Sequence, residues 1–335
     1  MNGLSDVFSR LGFAALAAAL VAAAAPHAAA AAAETVRVGK AVPTAFTFVP
    51  LDIGNRQGIF SQYGLKVEIV NFTGDAKLQQ GLTAGSIDFG LGSGPGMAFA
   101  AKGAPVRAVA AYFGAPANIA VTVKEDSPIK TVADLKGKVM AVSTVGSLTA
   151  WLTQQIAIRE GWGQDGIRIV ATGGGPAMTS AILSGSVDAG MGSYESALTL
   201  QEKHRARPLV TMDKFEPRFI THVIFTREAL IASKPAEVES FVKAFFATLD
   251  YMRTHRTETI AIADDVLHDG KTVLDGAYDR EMPIMSKDGR FDPVALKVIK
   301  QSWVAMKTLP AVPSDDQILS RRFVPVNVET AAGSH

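Results

Sequence analysis

A phrase of thirteen residues occurs twice in this chain, and the repetition restricts the fold more than any other feature. The copies are Gly81–Ser93 and Ala181–Ser193. Gly85, Ser86, Asp88, Gly90, Gly92 and Ser93 recur as Gly185, Ser186, Asp188, Gly190, Gly192 and Ser193, each pair 100 positions apart. Each copy reads as a helix end, a glycine stop and a short buried strand closing on Gly-Ser. A duplicated helix-to-strand unit implies two similar α/β lobes, and two facing lobes imply a cleft for a ligand.

The sequence around each copy follows the same plan. Val36–Gly39 reads as a strand, Pro50 opens a helix, and Leu65–Val70 alternates with period two as a strand. Met97–Lys102 reads as a helix, and Val106–Tyr112 and Asn118–Val123 read as strands. Thr131–Leu135 forms a helical turn, Lys138–Val142 a strand, Thr149–Arg159 a helix and Ile167–Val170 a strand. Phe219–Phe225 reads as a strand in which the chain crosses back. Beyond Pro235 helices dominate, with Val238, Phe241, Val242, Phe245, Leu249 and Met252 on one core-facing stripe and a further helix over Asp292–Lys307. The expected class is therefore α/β, with central mixed, mainly parallel sheets in two lobes and a helical C-terminal part. Lobe one spans 34–120 and 220–335, and lobe two spans 121–219.

The remaining totals narrow the function. In 335 residues, 33 basic side chains face 32 acidic ones, which offers no electrostatic footprint for nucleic acid or an anionic membrane. Cysteine is absent, so disulfides, thiolate metal sites and a catalytic thiol are excluded. Residues 1–33 carry Arg10, an apolar run from Leu11 to Ala25 and an Ala-rich stretch ending at Ala33, the pattern of a cleaved export signal. The mature chain is expected in the periplasm.

Three stretches carry a family likeness. Gly58-Ile59-Phe60 with Gly64-Leu65-Lys66-Val67, the first repeat copy, and Thr131-Val132-Ala133-Asp134-Leu135-Lys136-Gly137-Lys138 together resemble the solute-binding proteins of ABC importers. The branch is the nitrate, taurine and alkanesulfonate type, which includes binders of thiamine pyrimidine precursors. The likeness covers most of residues 35–310. It implies a bilobed, hinged binding protein that works as a monomer and delivers a small solute to an inner-membrane ABC permease. It implies no catalysis and no cofactor.

In open α/β sheets, ligands sit outside the carboxyl ends of the strands. That rule selects loops containing Thr44, Phe46, Thr73, Gly74, Ser93 and Gly94 in lobe one, and Thr144, Gly146, Ser147, Gly174, Tyr194 and Glu195 in lobe two. Several of these loops open helices, whose free N–H groups can hold an oxyanion. The loops hold hydroxyls and two rings, Phe46 and Tyr194, but no Arg, which fits a small organic solute with one polar end: a sulfonate, a carboxylate or a nitrogen heterocycle. In the resembling family an acidic residue followed by Pro ends the second-lobe strand, whereas here Ser196 follows Glu195.

Each candidate has a plainer reading beside it. Ser93 and Ser193 are also placed to cap helices, Gly173–Gly175 to make a flexible turn, and Phe46 to fill core. Asp88 and Asp188 read as structural, tying strand entries by local hydrogen bonds. Asp264, Asp265, His268 and Asp269 read as a solvated helix face rather than a metal site. His222, in the return strand near the hinge, reads as a packed strand histidine, with a cleft-facing position as the alternative. Two other functions compete with the receptor: an enzyme of pyrimidine metabolism on the same fold, and a ligand-sensing regulatory domain. The first lacks the Cys-rich motif of such enzymes, and the second lacks a helix-turn-helix.

Overall fold

The computed structural model describes residues 33–328; the expected export signal lies outside the described residues except at its last position. Among the described residues, ten strands form two five-stranded sheets. They are β1 (Glu34–Lys40), β2 (Leu65–Asn71), β3 (Phe89–Ser93), β4 (Val106–Phe113), β5 (Ile119–Lys124), β6 (Val139–Val142), β7 (Arg168–Ala171), β8 (Ala189–Ser193), β9 (Ala206–Thr211) and β10 (His222–Arg227). The strand orders are β2-β1-β3-β10-β4 and β7-β6-β8-β5-β9.

The two orders superpose position by position. In each sheet the first three strands run parallel, and the fourth position is taken by an antiparallel strand. That strand always belongs to chain that has just arrived from the other lobe: β5 follows β4, and β10 follows β9. The chain therefore crosses between lobes twice, over residues 114–118 and 212–221. Each crossing delivers the start of a strand beside the end of a repeat strand, with Ile119 opposite Ser193 and His222 opposite Ser93.

The repeated phrase has a local cause in each lobe. Helix Asp75–Thr83 and helix Pro176–Ser184 are followed by Gly85 and Gly185 with φ of 71° and 76°, the left-handed conformation that glycine adopts without a Cβ penalty. Asp88 and Asp188 then pin their strands. Arg37 N–H donates to Asp88 Oδ2 at 2.9 Å, and Val139 N–H donates to Asp188 Oδ2 at 2.8 Å. In return the Asp88 and Asp188 amides donate to Arg37 O and Val139 O. Gly90 and Gly190 stay bare because the preceding helix lies directly above. A Cβ there would meet Leu78 at 3.1 Å and Ile182 at 2.6 Å.

The stripe from Val238 to Met252 is buried in helix Pro235–Thr254, and Phe241 stacks between Phe60 and Phe89. Each such side chain contributes about 1.5–3 kcal/mol through removal from water. Helices Glu228–Ser233, Arg256–Leu267, Lys271–Glu281 and Pro293–Ala305 complete the helical C-terminal part. No helix among the described residues is long and apolar enough to cross a membrane.

The structure shifts the start of one strand and adds a strand about which the sequence reading was silent. The return strand begins at His222 rather than Phe219, because the crossing segment ends with Thr221 N–H bonded to Phe113 O and Gly114 O. β9 carries Pro208, a residue that argues against a strand in sequence; it is tolerated here because β9 lies at the sheet edge.

Candidate functional site

Between the two sheets lies a small cleft, partly open to solvent, with a cavity volume of about 80 Å³. Its walls come from strand ends and helix starts of both lobes. Lobe one supplies Ala41, Val42, Thr44, Phe48, Asp75, Ser93 and His222. Lobe two supplies Ile119, Ser143, Leu148, Thr149, Gly174, Met178, Met191, Ser193 and Ser196, with Asn118 reaching in from the first crossing. No Lys or Arg is among the lining residues.

The sequence-selected residues fall into three groups. Thr44, Ser93 and Gly174 line the cleft. Thr73, Gly74, Thr144, Gly146 and Ser147 lie around it, where the lobes meet or a helix begins. A Cβ at Gly74 would fall 2.6 Å from the Thr144 side chain, and one at Gly173 would fall 3.7 Å from Thr73. Gly146 faces the Phe99 ring, and Ser147 caps helix Leu148–Arg159 by accepting from Ala150 N–H at 3.3 Å. Phe46, Gly94, Tyr194 and Glu195 lie away from the lining. Phe46 is wholly buried, and Gly94 packs under the second crossing with its N–H on Thr221 O at 3.0 Å. The Tyr194 ring lies 3.9 Å from the Arg280 guanidinium.

Glu195 is buried against Glu281, at the end of helix Lys271–Glu281 of lobe one. None of the four carboxylate oxygens has a hydrogen-bond partner among the described residues. Burial, reinforced by the charge of Glu195 beside it, pushes the Glu281 carboxyl well above the usual carboxylate range, so it keeps its proton. Nearby, Thr199 Oγ1 donates to Asp269 Oδ1 at 2.9 Å, and burial raises the Asp269 carboxyl to about 6. Asp265 pairs with Arg56, Asp264 accepts from Gly270 N–H, and no metal-binding group of three or more acids or histidines occurs among the described residues.

Among the polar lining residues not selected from the sequence are Asp75, Asn118 and His222. Asp75 opens helix Asp75–Thr83 and is fully buried. Its Oδ1 accepts from Ser93 N–H at 2.8 Å, and its Oδ2 accepts from Ser93 Oγ at 2.9 Å and from Leu148 N–H of the other lobe at 3.3 Å. Burial raises its carboxyl, and these hydrogen bonds oppose the rise. Asn118 donates weakly to Thr47 Oγ1 at 3.4 Å, while its Oδ1 has no partner. His222 packs among Phe48, Tyr112 and Phe113 as the sequence reading anticipated, yet it also lines the cleft, and its Nδ1 is unpaired. Burial holds its imidazole down to about 3, so the ring is neutral at physiological pH.

The lobes also meet beyond the cleft. Trp151 Nε1–H donates to Ser302 Oγ at 2.8 Å while its ring stacks on Phe219. Arg159 pairs with the buried Glu216 at 2.6 Å beside the second crossing.

Comparison with known proteins gives this geometry a context. A model of the NMT1/THI5-like family matches residues 45–259. An aliphatic sulfonates-binding protein of Bacillus subtilis is 26% identical over 255 residues, 74% of each chain. The 4-amino-5-hydroxymethyl-2-methylpyrimidine phosphate synthase of Aspergillus parasiticus is 24% identical over 216 residues, 61% of this chain and 62% of its own. Among solved structures, the alkanesulfonate-binding protein of Xanthomonas axonopodis pv. citri bound to MOPS superposes with a TM-score of 0.71 at 20% identity. That match covers 85% of this chain and 96% of the other.

Proposed function

We propose, from the premise that the chain belongs to the NMT1/THI5-like family, that it is the solute receptor of an ABC importer. It captures a small organic molecule between two closing lobes in the periplasm and hands it to an inner-membrane permease. The observation that carries this reading is the cleft itself: strand ends of two equivalent sheets face one apolar, hydroxyl-rich cavity and touch across it. Binding at such a site favours the closed arrangement, because each lobe supplies only part of the contacts. The two crossings, 114–118 and 212–221, are the hinge.

The alternative of an enzyme draws support from the synthase relative. The cleft's chemistry favours a receptor. Its one histidine makes no hydrogen bond to any hydroxyl among the described residues, so no nucleophile is paired with a base there. Several hydroxyls in and around it bond instead to one another and to helix ends, as those of Ser143, Ser147 and Thr149 do.

The test is a thermal-shift screen of organic solutes. A ligand at 100 times its Kd stabilises the folded form by about 2.7 kcal/mol, a shift of several degrees. Stabilisation without turnover of the compound supports the receptor; turnover by the purified protein establishes the enzyme.

A further inference from the structure

Helix Tyr194–Glu202 of lobe two meets helix Lys271–Glu281 of lobe one beside the cleft, and two carboxyl groups are sealed in the seam. Glu195 is 1% exposed and Glu281 0%, and neither lines the cavity. A carboxylate only accepts hydrogen bonds, so two of them side by side have nothing to exchange until one carries a proton. Two ionised groups here would each be stripped of water and would also repel. One proton answers both problems, because the O–H of Glu281 then donates to Glu195.

The surroundings offer no other remedy. Arg280 lies over the Tyr194 ring at 3.9 Å and hydrogen-bonds to neither carboxylate. Its charge favours an ionised Glu281, but burial and Glu195 outweigh it. From β4, Tyr112 presents a buried, unpaired hydroxyl that burial and the charges of Asp75 and Glu281 keep protonated. His222, stacked on Tyr112 at 5.7 Å, is neutral. The turn Phe46–Phe48, also packed on helix Lys271–Glu281, brings no charge. Arg256, from the helix behind, is committed to Asp275 and Asp279. A second contact between the lobes lies close by, where Thr199 donates to Asp269 with the charges of Glu195, Lys203 and Asp264 acting on that carboxyl.

Resting on the hinged-receptor reading above, we infer that this seam is a proton-linked latch: closing the lobes takes up one proton, shared by Glu195 and Glu281, and opening them releases it to water. In the open arrangement both carboxyls reach solvent and ionise near the ordinary 4.5. The proton's contribution to closure is therefore complete below that value and is lost as pH rises through the raised value of the closed pair. Between the two, one proton changes the closed-to-open ratio by up to about tenfold per pH unit. Solute is held most firmly in acid, and opening is favoured as pH rises.

The absence of cysteine makes the test direct. Gln80→Cys and Ser180→Cys put one dye on an exposed site of helix Asp75–Thr83 and one on helix Pro176–Ser184, a label in each lobe. Single-molecule energy transfer then counts closed and open molecules of the solute-free protein. From about pH 5.5 to about pH 7.5 the closed-to-open ratio should fall at least about fivefold. In Glu281→Gln, whose amide donates to Glu195 at either pH, it should change less than about twofold. Glu195→Gln gives the same reading if Glu281→Gln does not fold. Asp269→Asn should keep most of the response; a response that vanishes there and persists in Glu281→Gln overturns the assignment to the glutamate pair. A ratio that ignores pH, or one fixed distance at every pH, overturns the latch. The solute screen decides the receptor separately, since a solute that stabilises the protein without turnover leaves that reading standing whatever the latch does.

Discussion

Thr144 of the second lobe rests on Gly74 of the first: a Cβ at Gly74 would lie 2.6 Å from the Thr144 Oγ1 and Cγ2. Thr144 Oγ1 also accepts from Ala76 N–H at 3.4 Å, so it serves helix Asp75–Thr83 as the cap its own Gly74 cannot provide. The relation has a mirror. Thr44, 100 positions earlier than Thr144, sits on Gly175, where a Cβ would fall 3.0 Å from its Oγ1. Each lobe thus presents a threonine after its second-position strand and receives the other's threonine on a glycine after its edge strand. The duplicated plan is complementary to itself across the cleft.

Gly74→Ala tests that contact. The methyl group clashes with Thr144 in the closed arrangement, and φ of 145° at Gly74 adds strain. Ligand affinity, measured by titration calorimetry, should fall at least tenfold. Adding Thr144→Ala should recover part of the loss, leaving the backbone strain as the remainder. Equal affinities in Gly74→Ala and the unaltered protein would show that the glycine does not govern closure.

Asp75 ties Ser93 to the start of a helix in the other lobe, so Asp75→Ala leaves Ser93 N–H, Ser93 Oγ–H and Leu148 N–H without their acceptor. A buried donor left unmet costs about 1–3 kcal/mol. Urea denaturation should show a loss of at least that size, larger than the loss in Ser93→Ala, which spares the Leu148 contact. A loss no greater than that of Ser93→Ala would mean the inter-lobe bond contributes nothing.

The pH dependence of stability should carry two opposite signatures. Glu281, held above its ordinary range by burial and by Glu195, contributes stability that is complete below its unfolded value and is lost as pH rises through its folded value. Asp269 acts in the same sense, between its ordinary 3.8 and about 6. His222, lowered from 6.5 to about 3, contributes stability present above 6.5 and lost as pH falls toward 3. Glu281→Gln removes a titrating proton while keeping a hydrogen-bond donor for Glu195. Tm should therefore decline less between neutral and alkaline pH in Glu281→Gln than in the unaltered protein, with the acid limb unchanged. Parallel Tm–pH curves above neutrality would contradict a protonated Glu281.

Much of the fold was legible because the signals are local. Gly85 and Gly185 mark helix stops by their conformation, and Asp88 and Asp188 answer backbone groups one strand away. The stripe on helix Pro235–Thr254 follows from periodicity alone. β9 was not, since an edge position excuses Pro208 and edge position is a property of the finished sheet. The cleft was legible to the level of loops: the strand-end rule reached Thr44, Ser93 and Gly174. It could not reach side-chain direction. Tyr194 turns to Arg280 and Glu195 to Glu281, partners about 85 residues away in sequence. Asp75 gains its importance from Leu148, which no spacing announces.

Closure over a guest is the claim on which the rest depends, and small-angle X-ray scattering measures it directly. With the strongest stabilising solute from the screen added at saturation, the radius of gyration should fall below that of the solute-free protein. Identical curves with and without that solute would contradict a receptor that works by shutting its lobes.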